Sequence, residues 1–282
     1  MTLLSDDRTG CGDVAERIRR VLEAADPGAD WAVGGPDGVL ARSAGHATGH
    51  ATGHGIGDGA GDGAGPRTGP GHHGSGCDTA GHEAGDLAGV LALWPVIGGL
   101  VAEGALHLHT PLSAYGAEAA AGTPAGTTTH HLLTHAGGRS APAPAAALTR
   151  LAEHLGGGPL PELAAARVWQ PLGMTGTRFA DGTLYTALPD LARFLGHLLS
   201  PADHPVPRAW TAESLRIRTG ELTPPRGLLW HPAAHGTWTH GDTAAVWVHP
   251  GLRRWAVLLP ADPREPLRRP FRDAVFAPPH GA

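Results

Sequence analysis

Apolar residues recur at three- and four-residue intervals near both ends of the chain and through its middle, and switch to two-residue runs near its ends. Val14, Ile18, Val21, Leu22 and Ala25 share one face of a helix predicted over 13–25, with Asp13 as N-cap and Pro27-Gly28 as its stop. Short strands follow at 31–33 and 39–41, joined by the turn Gly-Gly-Pro-Asp-Gly. From Leu87 to Leu199 the spacing is mostly helical. Leu148, Leu151 and Leu155 precede a Gly156-Gly157-Gly158 stop, and a helix opening at Pro189 buries Leu191, Phe194, Leu195 and Leu198. Strands are predicted again at 244–249 and 255–259 around Pro250-Gly251, then a last helix over 263–277 carrying Leu267, Phe271 and Val275.

Helix, two strands, a helical middle, two strands, helix: this order predicts an α+β fold. Its antiparallel sheet would be built from both chain ends, flanked by the N- and C-terminal helices, with a helical lobe inserted between. The run from Leu87 to Ala102 has no charge, but its 16 residues fall short of the ~20 that span a bilayer, and Pro95 and glycines interrupt it. It is predicted to be a buried core helix.

Composition changes this picture in one place. Gly and Pro number 43 and 26 of 282 residues, about twice the average share of roughly 12%. Residues 45–76 hold 13 glycines in 32 positions, with Ile56 as their one large apolar residue. Such a tract cannot bury enough surface to offset its ordering entropy and is expected to be disordered. The chain therefore divides into 1–44, the insertion 45–76, and 77–282, the first and last forming one folded domain.

Charge narrows the function classes. With 21 basic against 26 acidic residues the net charge is −5, and no basic stripe is available for nucleic acid. Every basic residue is Arg; the chain contains neither Lys nor Asn, which excludes a lysine base or an asparagine amide. Cys11 and Cys77 make neither a disulfide framework nor a metal motif. The N-terminus lacks the pattern of a signal peptide, so the expectation is a cytoplasmic protein without membrane partners.

Five phrases occur in a telling order. Leu100-Val-Ala-Glu-Gly-Ala-Leu-His-Leu-His-Thr-Pro111-Leu, Thr129-His-His-Leu-Leu-Thr-His-Ala-Gly-Gly138, Pro171-Leu-Gly-Met-Thr-Gly-Thr-Arg-Phe179, Leu184-Tyr-Thr-Ala-Leu-Pro-Asp-Leu-Ala-Arg-Phe194 and the Trp247-Val-His-Pro hairpin resemble phrases of the serine β-lactamase and penicillin-binding-protein-like family, which includes class C β-lactamases, D-amino peptidases and family VIII esterases. The resemblance implies a β-lactamase-like fold. It also implies three sites of chemistry: a Ser-x-x-Lys pair opening the central helix, a Tyr-x-Asn loop, and a Lys/His-Thr/Ser-Gly strand lining the cleft. In the first, spacing of three puts both side chains on one helix face, so the amine can deprotonate the serine.

The chain departs at all three. Counting back from Leu100-Val101 places the serine near Leu87 and the lysine near Val90, where the residues are Leu-Ala-Gly-Val; the nearest serine is Ser75. Neither Tyr115 nor Tyr185 has Asn two positions on, and the corresponding loop falls near Arg139-Ser140-Ala141. The third motif survives as Thr239-His240-Gly241-Asp242-Thr243, although an ungapped count from Pro250 puts Trp238-Thr239-His240 there. The stretch after Phe179 is short for the family, so the fold is expected to be truncated.

The reading is a catalytically degenerate protein kept for binding a small-molecule ligand or a protein partner, with Thr239, His240, Gly241 and Asp242 as candidate binding residues and no cofactor. A serine hydrolase or acyltransferase with a relocated nucleophile is the alternative, with Ser140 and His240 as its couple, or His131 or His135 as the base. A metal-binding protein is the third class. His46, His50 and His54 recur at period four, followed by His72-His73, and imidazoles in such numbers chelate divalent transition metals. Limited proteolysis is expected to cut first within 45–76 and leave two fragments that stay associated; protection of that stretch in hydrogen exchange would contradict the assignment.

Overall fold

The computed structural model describes residues 7–43, 81–135, 142–220, 224–262 and 266–278. Tract 45–76, with its histidines, and Ser140 lie outside them. Helix α1 (Asp7–Ala25) leads into strands β1 (Asp30–Gly35) and β2 (Gly38–Arg42). Strand β3 (His82–Glu83) precedes the central helical stretch, a short 3-10 turn at Gly85–Leu87, a widened turn at Gly89–Leu93 and helix α2 (Trp94–Ala102). Helices α3 (Ala117–Ala120), α4 (Thr129–His135), α5 (Pro142–Gly156) and α6 (Leu160–Ala164) complete the first part of the lobe. Strands β4 (Arg178–Ala180) and β5 (Thr183–Thr186) are followed by α7 (Leu188–Leu199) and α8 (Arg208–Ser214). The chain closes with β6 (His231–Pro232), β7 (Trp238–His240), β8 (Ala245–His249), β9 (Arg254–Leu259) and α9 (Arg268–Phe276).

The expected sheet of chain ends is present, in the order β2-β1-β9-β8-β7-β6. Strand β1 runs antiparallel to β9 through five pairs from Asp30↔Leu259 to Gly34↔Trp255. Side chains alternate across it with the two-residue period of a strand. Trp31, Val33, Trp247 and Leu258 face α1 and α9, where Val14, Ile18, Leu22, Phe271 and Val275 pack. Ala32, Val246, Val248, Trp255 and Val257 face the helical lobe. The indole of Trp255 crosses Gly34 and donates to the Gly35 carbonyl at 2.9 Å. A Cβ at Gly34 would lie 2.3 Å from that ring, so only glycine fits.

Several family-like phrases prove to be structural. Buried Asp190 accepts hydrogen bonds from the Gly176 amide at 2.8 Å and the Thr177 hydroxyl at 2.9 Å. Thr177 in turn meets the Thr186 hydroxyl at 2.8 Å. One carboxylate therefore fastens the segment ending at Phe179 to α7 and to the second sheet, ordered β3-β5-β4. That small sheet was not anticipated. Helix α1 also begins six residues before the predicted 13, and α9 is shorter than 263–277.

Counted from Gly85 to Ala102 the apolar central stretch has 18 residues and is, against the 16-residue count, long and apolar enough by composition to cross a membrane, yet most of it is packed inside the protein. Leu87, Val90, Leu91, Trp94, Ile97 and Leu100 are fully buried. Pro95 has no N–H to offer the Leu91 carbonyl, and the Trp169 indole supplies the missing donor at 2.8 Å. Trp210 donates to the Trp94 carbonyl at 3.1 Å, and Trp94 donates to the Ser214 hydroxyl at 2.9 Å. Helix α2 is thus locked by three indoles, and Trp210 lies over Gly98, where a Cβ would come within 2.3 Å of it. Gly98→Ala should therefore destabilise the fold by about 1–3 kcal/mol, overpacking outweighing the ~1 kcal/mol that alanine gains in a helix. Urea denaturation of the variant checks this; a gain in stability would contradict it.

Candidate functional site

The start of the central helix and the end of β7 face each other across a cavity of about 440 Å³. The helix contributes Gly85, Asp86, Ala88 and Gly89, the strand side Thr239, His240, Gly241 and Asp242, and the walls are completed by Ala145, Leu229, His231 and Arg268. All four predicted binding residues of the 239–242 segment are therefore together. The strand runs to His240 in the register His240↔Val246, and the cleft-facing motif is Thr239 to Asp242 rather than Trp238 to His240.

The expected helix positions do not line the cleft. Leu87 and Val90 are fully buried in the core, and the helix start lines the cleft with Gly85, Asp86, Ala88 and Gly89. Asp86 accepts the Thr243 amide at 2.7 Å, fastening the helix start to the turn after β7. Gly241 makes that turn with φ +93, and a Cβ there would be 2.0 Å from the Ala244 carbonyl oxygen. Gly89 leaves open a space that the His240 ring takes: a Cβ at Gly89 would be 3.0 Å from His240 Nε2.

His240 is buried, and its Nδ1 lies 2.6 Å from the Leu229 carbonyl. A carbonyl accepts only, so Nδ1 carries the hydrogen. Burial pushes the His240 pKa down against the opposing backbone hydrogen bonds with Leu229 and Asp86 and the attraction of Asp242. The ring is a neutral wall at neutral pH. His231 lies parallel to it at 6.4 Å between centroids. Arg226 donates to His231 Nδ1 at 3.2 Å, and burial followed by the Arg226 charge pulls the His231 pKa down to about 4.

Arg268, on the first turn of α9, brings the positive charge to the cleft. It donates to the Thr239 hydroxyl at 3.2 Å, stands 3.7 Å from the Asp242 carboxylate and lies 5.8 Å from the Trp247 ring centre. The Thr239 hydroxyl itself donates to the Val246 carbonyl at 2.9 Å, so it is held by the sheet. Neither Arg268 nor Asp86 was anticipated: one belonged to an ordinary amphipathic helix, the other only marked the edge of an apolar run.

The remaining predicted residues are not brought to the cleft. His131 lies on α4, where its Nδ1 accepts from the Thr128 amide at 3.4 Å, a local turn contact. The side chain of His135 lies outside the described residues, as do Ser140 and His46, His50, His54, His72 and His73. Among the described residues, no group of three or more His, Cys, Asp or Glu is placed to hold a metal.

By sequence the chain matches no family model and no curated protein. By structure it is similar to a β-lactamase from Mycobacterium bovis, at 20% identity and TM-score 0.62, covering 92% of this chain and 98% of that one. It is likewise similar to EstCE1, a hydrolase with promiscuous acyltransferase activity, at 13% identity and TM-score 0.67, covering 95% of this chain and 100% of that one. A penicillin-binding protein homologue from Pyrococcus abyssi matches at 14% identity and TM-score 0.65, covering 94% of this chain and 76% of that one. The fold is β-lactamase-like, as the five phrases implied.

The lowered His231 pKa sets a pH dependence. Unfolded, this histidine titrates near 6.5, and folded near 4, so between those values the unfolded chain binds more protons. Stability should fall as pH drops from 6.5 towards 4, with the His231 share about 1–2 kcal/mol once screening of a part-exposed ring is included. Denaturation midpoints across that window should flatten in His231→Gln; an unchanged slope would contradict the assignment.

Proposed function

We propose that this chain, which has the fold of the serine β-lactamases and penicillin-binding proteins, binds a small ligand in its cleft without hydrolysing it. One observation carries the reading. Where the resembling family's chemistry needs a hydroxyl and an amine at spacing three, the helix start lines the cleft with Gly85, Asp86, Ala88 and Gly89, none of which carries either group; Asp86 is engaged with the Thr243 amide and the side-chain space of Gly89 holds His240. No lysine exists elsewhere in the chain to replace the base.

The binding half of the site is intact by comparison. A cavity of about 440 Å³ falls within the ~300–1,000 Å³ usual for small-molecule sites. Arg268 supplies a fixed cation, Asp86 and Asp242 carry negative charge, and two neutral imidazoles complete the walls. Such a lining favours a polar ligand with both donors and acceptors. A serine hydrolase that loses its nucleophile forfeits on the order of 10⁶ in kcat, retaining what binding and oxyanion stabilisation provide.

Incubation with a fluorescent penicillin and with a fluorophosphonate, followed by intact-mass analysis, should return unmodified protein. Stoichiometric labelling abolished by Ser140→Ala would overturn the reading in favour of a relocated nucleophile, and labelling lost in Asp86→Ala would assign the covalent chemistry to that carboxylate.

A further inference from the structure

We propose that a second site, a groove between the end of α7, helix α8 and the β8–β9 turn, binds a small amphipathic anion: an alkyl or acyl chain carrying a phosphate or carboxylate head. The groove encloses about 690 Å³ and shares no lining residue with the cleft, so this inference does not rest on the reading given for the cleft.

The charged residues in its lining are all basic, with the Asp203 carboxylate beside it accepting the Arg208 amide at 2.7 Å. Arg208, Arg216 and Arg253 line it, and no Asp or Glu does, in a chain whose net charge is −5. Arg216 is paired with Glu213 at 3.3 Å. Arg208 and Arg253 form no ion pair among the described residues. A guanidinium presents a planar fork of donors that matches a phosphate or carboxylate, and two unpaired forks on one groove make a receptor for such a head.

Neutral polar groups add little. The groove's two hydroxyls are spent on the backbone, Ser200 donating to the His197 carbonyl at 2.8 Å and Thr211 to the Pro207 carbonyl at 3.4 Å. Between the arginines the lining is aliphatic, including Leu199 and Leu215. Arg253 is held at φ +48, where a non-glycine residue stays only when its surroundings fix it. Its amide donates to the Pro250 carbonyl at 3.1 Å, and the neighbouring Leu252 amide donates to His249 Nδ1 at 3.0 Å. The turn thus fixes the Arg253 backbone beside an apolar floor, with its exposed side chain lining the groove.

Calorimetric titration of the full chain with n-octyl phosphate, kept below its micelle-forming concentration, tests the site. Saturable binding is expected, on the order of tenfold tighter than for inorganic phosphate or neutral octyl glucoside, because head and tail are both recognised. Arg208→Gln/Arg253→Gln should weaken it by on the order of tenfold or more, each single variant by less, with the melting temperature unchanged. Equal binding of octyl glucoside, or undiminished binding by the double variant, would overturn the proposal. So would the absence of octyl phosphate binding, or binding to phosphatidylglycerol vesicles without binding of the monomeric probe, which would mark a membrane-facing patch instead.

Discussion

Everything in this molecule depends on the pairing of β1 with β9. These strands come from opposite ends of the chain, yet they share five register pairs inside the six-stranded sheet. Joining the ends obliges the intervening chain to leave the sheet and return as a separate lobe. The pairing also fixes which face of each strand meets which layer. Trp31 and Leu258 turn to the terminal helices, while Ala32 and Val257 turn to the lobe. A one-residue slip would reverse both faces at once.

The cleft follows from the same constraint. Strand β7 is held to β8, and so indirectly to β9, which places His240 at the open end of the sheet. The central helix starts opposite it, anchored by Asp86 on the Thr243 amide. Between them, Gly89 and the His240 ring are complementary in shape: one lacks a side chain and the other fills the gap. The recess between helix and strand is lined by a carboxylate, a guanidinium and neutral imidazoles.

Much of this was legible in the sequence because the signals were local. Alternating apolar residues marked β8 and β9, a Gly-Pro-Asp-Gly turn marked the first hairpin, and Pro189 marked the entry to α7. Residues 239–242 were singled out by their likeness to the family's Lys/His-Thr/Ser-Gly phrase. The helix-start residues that line the cleft were missed for a physical reason. Gly89–Leu93 form a widened turn with one residue more than a regular helix uses, and a count back from Leu100 reaches Leu87 and Val90, which are buried in the core. Strands β3 to β7 have two to four residues each, too few for a period to register. The cationic partner was hidden because Arg268 is brought to the cleft by tertiary packing of a helix whose own pattern speaks only of burial.

The central claim is that His240 is a buried wall of the cleft whose imidazole is neutral at neutral pH. Nitrogen-15 NMR of the imidazole rings across about pH 5–8, the range in which an ordinary histidine changes charge, tests it most directly. The account predicts that His240 titrates below the ordinary 6.5, its neutral form carrying the hydrogen on Nδ1 and donating it to the Leu229 carbonyl. A full titration of His240 with a midpoint near the ordinary 6.5 would show a solvent-reached, chargeable imidazole and would contradict the account.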